Sequence, residues 1–376
     1  MKSRLTLCLF FLLSVCMGCS RDEAEPSNRT VLIYIAADNN LNAYGYENID
    51  YIMQGASRDQ LNGGHLLVYF DPADDIPRLY EIQASHGQSA VKSILKEYEE
   101  QNSLSTEVMQ GVIQEALRLR PANDYGLVLW SHGTAWFPST VFHMLRSFGQ
   151  DQGEEMDIRD LAAALPDHTF DFILFDACYM GSAEVVYELK DKANYIIASP
   201  TETLAQGFPY DRIIAPLFQS KADLEKICSA FYNYYLEQSN PLRQSATVSL
   251  IATAPMKKLT GIVREIVKGK EETIYALPTE DMQQLEYLTT RYHALYDFDD
   301  FIARLATPEQ YAEFRNCLEE AVLYKLATRK ATYAYNNGSQ IEMNHFSGLS
   351  VYVPQEALPA LNEWYKNTSW YQAVFE

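Results

Sequence analysis

Short runs of apolar residues, each followed by a polar break, recur along most of this 376-residue chain. Residues 126–129 and 172–175 are apolar at every position, which is typical of strands buried on both faces of a parallel sheet. By the same reading, strands are predicted at residues 30–36, 65–70, 78–82, 126–129, 172–175, 195–198, 245–252 and 348–354.

Between these runs, apolar residues spaced three and four apart predict helices. In residues 106–119, for example, Val108, Val112 and Ala116 share one face. Helices are predicted at residues 106–119, 158–165, 222–239, 254–268, 280–295 and 308–327. Because strands alternate with helices, the pattern predicts an α/β sandwich with a mostly parallel central sheet.

The amino terminus has a different pattern. Lys2 and Arg4 precede an apolar stretch, residues 5–17, that is short for a transmembrane helix, and Gly18-Cys19-Ser20 follows. This arrangement resembles a bacterial lipoprotein signal, in which residues 1–18 are removed and Cys19 carries the lipid. An ordinary secretory signal is the alternative. Residues 19–29 are mostly polar, and we expect a flexible tether that leaves the protein in the cell envelope, facing the periplasm or the cell surface.

Charge and cysteine content narrow the function classes. The net charge of −20 disfavours nucleic acid as a partner. Outside the signal the chain keeps three cysteines, an odd number that argues against a complete disulfide framework. Cys228 and Cys317 each lie on the apolar face of a predicted helix, so buried thiols are expected there. Cys178 instead follows a predicted strand.

Two polar segments carry the candidate chemistry. Ser131-His132-Gly133 follows the strand at residues 126–129, and Asp176-Ala177-Cys178 follows the strand at residues 172–175. Because carboxyl ends of parallel strands meet at one edge of a sheet, we expect His132 and Cys178 to share a crevice. Cys178 would be the nucleophile, activated by a helix start near residue 181, and His132 the proton donor and acceptor. The backbone N–H groups of Gly133 and Cys178 would form an oxyanion hole. The structural alternative is that both side chains merely end strands.

These segments resemble the clostripain family of cysteine peptidases, which belongs to the caspase-like clan. Supporting segments are residues 34–41, 198–202 and 207–210 and Trp370-Tyr371. The resemblance implies a caspase-like α/β/α sandwich with an added helical C-terminal region. Residues 30–220 would then be the catalytic core and residues 221–376 the C-terminal part of the same peptidase domain. It also implies that His132 and Cys178 form the catalytic dyad.

The resemblance further implies cleavage after Arg, less often Lys, through an acidic pocket, since a guanidinium pairs best with a fixed carboxylate. Asp176 matches one acid of that pocket. Gln206 stands where a second acid is expected, and Glu202 and Asp211 are the nearest acids. Their structural alternative is a helix cap or a surface charge.

Family members often cleave themselves between the His and Cys segments, and Arg146–Ser147 resembles such a bond. An ordinary loop arginine is the alternative. Some members respond to calcium, for which Asp38 and the acids of residues 71–75 offer oxygen ligands, although no EF-hand spacing exists. The histidines lack zinc spacing, so we expect no other cofactor or metal.

The expected function is therefore an exported, lipid-anchored cysteine endopeptidase acting on proteins or peptides. One alternative is a non-catalytic protein- or glycan-binding lipoprotein that keeps the peptidase fold. A thiol-dependent hydrolase acting on another bond is a third reading, because a fold alone does not determine the reaction.

Overall fold

The computed structural model describes residues 27–56, 61–84, 89–138, 148–287, 292–331 and 340–376. Its strands are β1 (Ser27–Ala37), β2 (His65–Pro72), β3 (Arg78–Gln83), β4 (Val91–Glu97), β5 (Ala122–Trp130), β6 (Phe148–Asp151), β7 (Glu154–Met156), β8 (Phe170–Asp176), β9 (Ala193–Ala198), β10 (Thr247–Ala252), β11 (Leu295–Asp297), β12 (Val322–Ala327), β13 (Lys330–Ala331), β14 (Ile341–Glu342) and β15 (Ser350–Tyr352).

Helices separate most of these strands. They are α1 (Asn42–Gly55), α2 (Thr106–Leu119), α3 (Ile158–Ala164), α4 (Ala183–Glu188), α5 (Tyr210–Leu217), α6 (Leu224–Leu236), α7 (Met256–Val267), α8 (Glu271–Tyr275), α9 (Phe298–Ala303), α10 (Pro308–Ala321), α11 (Pro359–Tyr365) and α12 (Ser369–Phe375), with a 3₁₀ turn at Pro241–Arg243. No helix in the described ranges has the length and apolar character needed to cross a bilayer.

Nine strands form one mixed sheet in the order β12-β10-β9-β8-β5-β1-β2-β3-β4. The five central strands, β9, β8, β5, β1 and β2, are parallel to one another, and antiparallel strands extend the sheet at both edges. The predicted parallel arrangement is therefore confirmed for the centre of the sheet, which contains the apolar runs at residues 126–129 and 172–175. The predicted strand at residues 348–354 forms β15, which pairs with β11 outside this sheet.

Both faces of the sheet are covered by helices, which gives the predicted three-layer α/β/α sandwich. In β1, Leu32 and Tyr34 pack into one core, whereas Val31 and Ile33 pack into the core on the opposite face. The first core also holds residues of α2, α3, α4, α7, α10 and α12, and the second core holds residues of α1, α5 and α6. Cys228 and Cys317 are fully buried, as predicted for core thiols.

Two expectations about elements were wrong, and strand β4 was not predicted. Residues 308–327 do not form one helix, because α10 ends at Ala321 and β12 continues as an edge strand beside β10. The described part of residues 280–295 contains no helix before β11 begins. There the backbone of residues 283–285 bonds to residues 295–297, as in the hydrogen bond from Leu285 N to Leu295 O (3.0 Å). Strand β4, whose side chains are mostly exposed, escaped prediction because it lacks an apolar run.

Candidate active site

The carboxyl ends of β5 and β8 bring the His and Cys segments together. These strands are parallel neighbours, and Trp130 is in register with Asp176. His132 and Cys178 thus each lie two residues beyond the same register pair. The segments touch at Gly133, where a Cβ atom would stand 2.5 Å from the carbonyl oxygen of Cys178 and 3.1 Å from its nitrogen. Only glycine allows this approach, so the structure brings the segment of His132 and Gly133 into contact with the segment of Cys178.

The thiol of Cys178 is half-buried and lies against the backbone of Thr203. Its Sγ is 3.3 Å from both the N–H nitrogen and the carbonyl oxygen of Thr203, accepting from the first and donating to the second. Burial raises the pKa of the thiol, and the negative charges of Glu202 and Asp176 raise it further, against a smaller lowering by the Thr203 N–H. In this arrangement Cys178 is therefore a neutral thiol.

This result corrects the expectation that a helix start activates Cys178. Helix α4 begins at Ala183, and Ser182 is its N-cap, with the Ser182 side chain accepting the N–H of Val185 at 3.2 Å. The amino end of α4 is thus capped by its own sequence, and the thiol is contacted by Thr203 instead. The pKa of Cys178 is raised rather than lowered.

The backbone after Cys178 adopts a conformation that side chains rarely accept. Tyr179 has a φ of 62°, in the left-handed region. The Tyr179 N–H donates to the Thr201 carbonyl (3.0 Å), and the Gly181 N–H donates to the Ser199 carbonyl (2.9 Å). These bonds tie the Cys segment to residues 199–203 and hold the strained residue in place.

His132 is half-buried and makes one side-chain hydrogen bond within the described ranges. Its Nε2 lies 2.6 Å from Oδ1 of Asn40. Burial lowers the pKa of the imidazole, so His132 is neutral at neutral pH. No role for Asn40 was predicted from the sequence. Its only sequence signal was its place after β1, at the same sheet edge as the other two segments.

Two backbone N–H groups, those of Gly133 and Cys178, lie where the His and Cys segments meet. In the part of the chain that the structure describes, no hydrogen bond uses the N–H of Gly133 or of Cys178. The chain segments that carry them touch, as the short distance from Gly133 to Cys178 indicates. Two free N–H donors in contact segments are suitable for binding one oxyanion.

Asp176 is buried beneath the turn formed by residues 204–208. Its Oδ2 accepts the N–H of Phe208 (3.0 Å) and the hydroxyl of Tyr210 (2.9 Å). Burial raises the pKa of the Asp176 carboxyl to about 6, although both hydrogen bonds oppose this. Gln206 is half-exposed in the turn itself. The structure therefore places Gln206 and Asp176 in one region, next to the Cys178 segment.

The two remaining candidate acids lie apart. Glu202 is half-buried and close enough to Cys178 for its charge to raise the pKa of the thiol. Asp211 is exposed in the first turn of α5. Burial raises the pKa values of Tyr51 on α1 and Tyr234 on α6, and the Asp211 charge makes a smaller contribution in the same direction. Of these two acids, the structure brings Glu202 to the candidate site. Arg146, Ser147 and Cys19 lie outside the described residues.

Several of the acids considered for calcium have partners or neighbours within the protein. The Asp74 carboxylate accepts hydrogen bonds from Asn42 and Tyr46, and Asp75 pairs with Arg78. Asp71 is fully buried, with Asp151 as its charged neighbour. Across the described ranges, no three His, Cys, Asp or Glu side chains lie close enough together to hold a metal ion.

Comparison with known proteins agrees with this geometry. The sequence model of the Clostripain family matches residues 33–376. The structure is similar to that of an inactive zymogen C11 protease from Parabacteroides distasonis, with a TM-score of 0.86 and 45% identity over 94% of this chain and 100% of that one. It is also similar to a secreted C11 cysteine protease from Bacteroides thetaiotaomicron in complex with an irreversible peptide inhibitor (TM-score 0.82, 29% identity, 93% and 99% coverage). No curated protein matches the chain. These similarities confirm the expected caspase-like α/β fold.

Proposed function

This chain belongs to the clostripain family of cysteine peptidases, and we propose that it is an endopeptidase in which Cys178 is the nucleophile and His132 is the general acid and base. The observation that most supports this assignment is the contact of the two segments at Gly133 and Cys178, two residues beyond one register pair of β5 and β8. This contact brings together the two segments that carry the imidazole, the thiol and two free backbone donors, which supports the assignment.

The proposed reaction begins from a neutral pair, because the pKa of Cys178 is raised and that of His132 is lowered. As sulfur attacks the substrate carbonyl, the thiol proton moves to His132, and the carbonyl oxygen becomes an oxyanion held by the N–H groups of Gly133 and Cys178. The imidazolium then protonates the leaving amine and the C–N bond breaks. Water, deprotonated by His132, releases the acyl group, and the proton returns to sulfur.

We propose that the pocket accepts Arg or Lys at P1. Asp176 lies beneath the turn that carries Gln206, and Asp176 and Glu202 are both close enough to Cys178 for their charges to act on the thiol. A guanidinium entering this region would gain a charge-assisted hydrogen bond in a partly desolvated place. Asp211 has no part in this proposal, since its charge acts on Tyr51 and Tyr234.

We also propose self-cleavage at Arg146–Ser147. Phe148, the second residue after that bond, forms an isolated bridge with Gly133, so only Ser147 separates the candidate bond from a residue that contacts Gly133. A similar protein is described as an inactive zymogen, which supports activation by processing. Purification with and without Cys178→Ala tests this step, because two chains are expected only when the thiol is present.

The substrates that we propose are proteins or peptides outside the cytoplasm, reached by an enzyme anchored through a lipid on Cys19. The lipoprotein-like segment Gly18-Cys19-Ser20 supports the anchor, and a similar protein is described as secreted. Radiolabelled palmitate tests the anchor. We expect incorporation into the full chain and none after Cys19→Ala.

The central experiment is a cleavage profile on a peptide library with the full chain, Cys178→Ala and Cys228→Ala. Both substitutions remove one thiol, but Cys228 is fully buried in α6. We expect cleavage after internal Arg or Lys by the unchanged chain and by Cys228→Ala, and none by Cys178→Ala. Absence of thiol-dependent cleavage would contradict the peptidase assignment, whereas cleavage after neutral residues would contradict only the basic P1 preference.

A further inference from the structure

We propose that Asn40 is a positioning residue for His132, which holds the imidazole with its proton on Nε2 and leaves Nδ1 as the nitrogen that exchanges protons with Cys178 and the substrate. This inference rests on the proposed function of His132. It assigns a task to the segment at residues 38–41, which the proposed dyad and pocket do not use.

The contact itself sets the tautomer. Oδ1 of Asn40 lies 2.6 Å from Nε2 of His132, and an amide oxygen only accepts hydrogen bonds. Nε2 must therefore carry the proton, and Nδ1 keeps its lone pair. A general base needs such a free lone pair, because the nitrogen that is protonated cannot accept the thiol proton.

The loop that carries Asn40 is held by several hydrogen bonds. Oδ1 of Asn39 accepts the N–H of Leu41 (2.8 Å), and Nδ2 of Asn39 donates to the carbonyl of Gln150 (2.7 Å). Ser131, the residue before His132, donates from its hydroxyl to the carbonyl of Ala36 (2.8 Å). The ends of β1, β5 and β6 are thus fixed to one another, which gives an exposed asparagine a defined position.

An amide is chemically suited to this place. A carboxylate would stabilise the imidazolium and raise the pKa of His132, so a smaller fraction of the resting enzyme would hold the neutral base near neutral pH. The neutral oxygen of Asn40 orients the ring but leaves His132 neutral, in keeping with its pKa, which burial lowers. When the imidazolium forms during the reaction, the same oxygen still accepts its Nε2 proton.

The tautomer is tested directly by nitrogen-15 NMR of the histidine rings, with His132→Ala to assign the resonance. The full chain with Cys178→Ala prevents self-cleavage during the measurement. We expect a protonated Nε2 and an unprotonated Nδ1 at pH 8, and a mixture of tautomers in Asn40→Ala. A proton on Nδ1 in the parent protein, or an unchanged spectrum in Asn40→Ala, would overturn the proposal whether or not the chain is a peptidase.

Kinetics test the catalytic consequence, with Asn42→Ala as the matched control. Asn42 is the first residue of α1, two residues after Asn40, and its side chain bonds to Asp74 instead of His132. We expect Asn40→Ala to lower kcat roughly 3- to 10-fold, as the loss of one neutral hydrogen bond implies, with KM unchanged. Asn42→Ala should retain the parent kcat.

Asn40→Asp separates positioning from simple structural support. A carboxylate beside His132 should move the acid limb of kcat/KM upward by about one pH unit while restoring the hydrogen bond. A pH profile identical to that of the parent would contradict the contact. If the parent itself shows no thiol-dependent cleavage, the proposed function fails, and the NMR result still decides the role of Asn40.

Discussion

The carboxylate of Asp176 contacts the turn at residues 204–208 through one oxygen, which accepts from both Phe208 and Tyr210. That single oxygen fastens the turn to the end of β8, next to the proposed nucleophile. The same group is also the buried charge that a basic P1 side chain would approach. Its structural and electrostatic contributions can be separated because asparagine keeps the shape and an acceptor but removes the charge.

We predict that Asp176→Asn lowers kcat/KM for Arg substrates at least about 10-fold relative to substrates with a neutral P1 residue, as the loss of a hydrogen bond to a charged group implies. Asp211→Asn is the matched control, because Asp211 is exposed on α5. Paired kinetics on two peptides that differ only at P1 measure the ratio. Equal losses for both peptides would mean that Asp176 only holds the turn.

The proposed dyad also has a pH signature. Burial lowers the pKa of His132 below its ordinary value of about 6.5. The base must be neutral, and a lowered pKa keeps it neutral to lower pH. We therefore predict an acid limb of kcat/KM below pH 6.5, measured as a pH–rate profile in the unchanged chain. A limb at or above that pH would show that a negative charge near His132 outweighs its burial.

Gly207 has a backbone requirement that the sequence did not reveal. Its φ is +66°, and a Cβ atom would lie 2.5 Å from Oδ2 of Asp176. We predict that Gly207→Ala lowers the free energy of unfolding by more than the ~1 kcal/mol expected from backbone strain alone. Gly269→Ala is the control, because Gly269 has a φ of +68° and open space around it. Urea titrations give both values, and equal costs would exclude the clash.

At the residue scale, the sequence predicted the residues whose side chains are chemically reactive. It missed the residues whose role depends on a contact with a distant part of the chain. His132 and Cys178 could be found because each directly follows an apolar run. Asn40 and Thr203 could not, because neither residue type nor spacing indicates that one meets an imidazole and the other a thiol. Glu202 and Asp211 were equivalent candidates for the pocket in the sequence. In the structure Asp211 is exposed on α5, and only Glu202 lies near Cys178.

At the scale of elements, the connection from Cys178 to α4 is the most constrained part of the site. Ser182 is fully buried, caps α4 and is the strand-like partner of Ser350. Glu184, in the first turn of α4, accepts the N–H of Tyr352 (2.8 Å). Helix α4 is therefore joined both to the Cys segment and to β15, so its amino end is expected to influence the site.

We predict that Ser182→Ala lowers the free energy of unfolding by about 1 kcal/mol through loss of the cap, and also lowers kcat. Ser105→Ala is the matched control, because Ser105 caps α2 with the same 3.2 Å bond to Val108 N–H. Ser105→Ala should have a similar stability cost with an unchanged kcat. Thermal unfolding and peptide hydrolysis measure the two effects. A kcat of Ser182→Ala equal to that of the parent would contradict the expected influence of the amino end of α4 on the site.

The strand β12 was predicted as helix because its local sequence pattern favours a helix, whereas pairing with the sheet favours a strand. Residues 322–327 continue the helical pattern of α10, yet their exposure alternates along the chain, as in a half-buried strand. Pairing with β10 satisfies the backbone of that strand and covers the sheet edge. The periodicity of a short segment cannot show the stabilisation that this pairing provides, because the partner strand is about 75 residues away in sequence.

At the scale of the whole molecule, one core joins the two sequence regions expected at residues 30–220 and 221–376. Leu127 and Ile173 from the central strands belong to the same apolar cluster as Phe314, Trp370 and Val374. The C-terminal region therefore completes the sandwich, and it also supplies β15, which contacts the Cys segment.

The buried pair Asp71 and Asp151 gives the whole molecule a pH-dependent stability. Burial and the neighbouring Asp151 charge raise the pKa of Asp71 well above its ordinary value, and neither Asp71 oxygen accepts a hydrogen bond in the described ranges. The folded state thus holds a proton that the unfolded state releases near pH 4. Stability from this group is present at pH 4 and is lost as the pH rises through the raised pKa.

We predict that Asp71→Asn is more stable than the parent at pH 8 by about 1 kcal/mol or more, and no more stable at pH 4. The amide keeps the size of the side chain and removes the buried charge. Denaturant unfolding at the two pH values, compared between the variant and the parent, checks the sign. A gain that is equal at both pH values would mean that packing, and not the carboxylate charge, limits stability.

The sequence by itself determined the central strands, the layer order and the two segments of the proposed dyad, because burial on both faces of a sheet leaves an unbroken apolar run and the chemistry follows it. The tertiary structure decided the sheet edges, the capped start of α4, the neutral state of Cys178 and the partner of His132. Each of these depends on which distant groups meet and on how deeply they are buried. Strand pairing and the desolvation of buried groups arise only when the chain is folded, so the order of apolar and polar residues along the sequence does not show them.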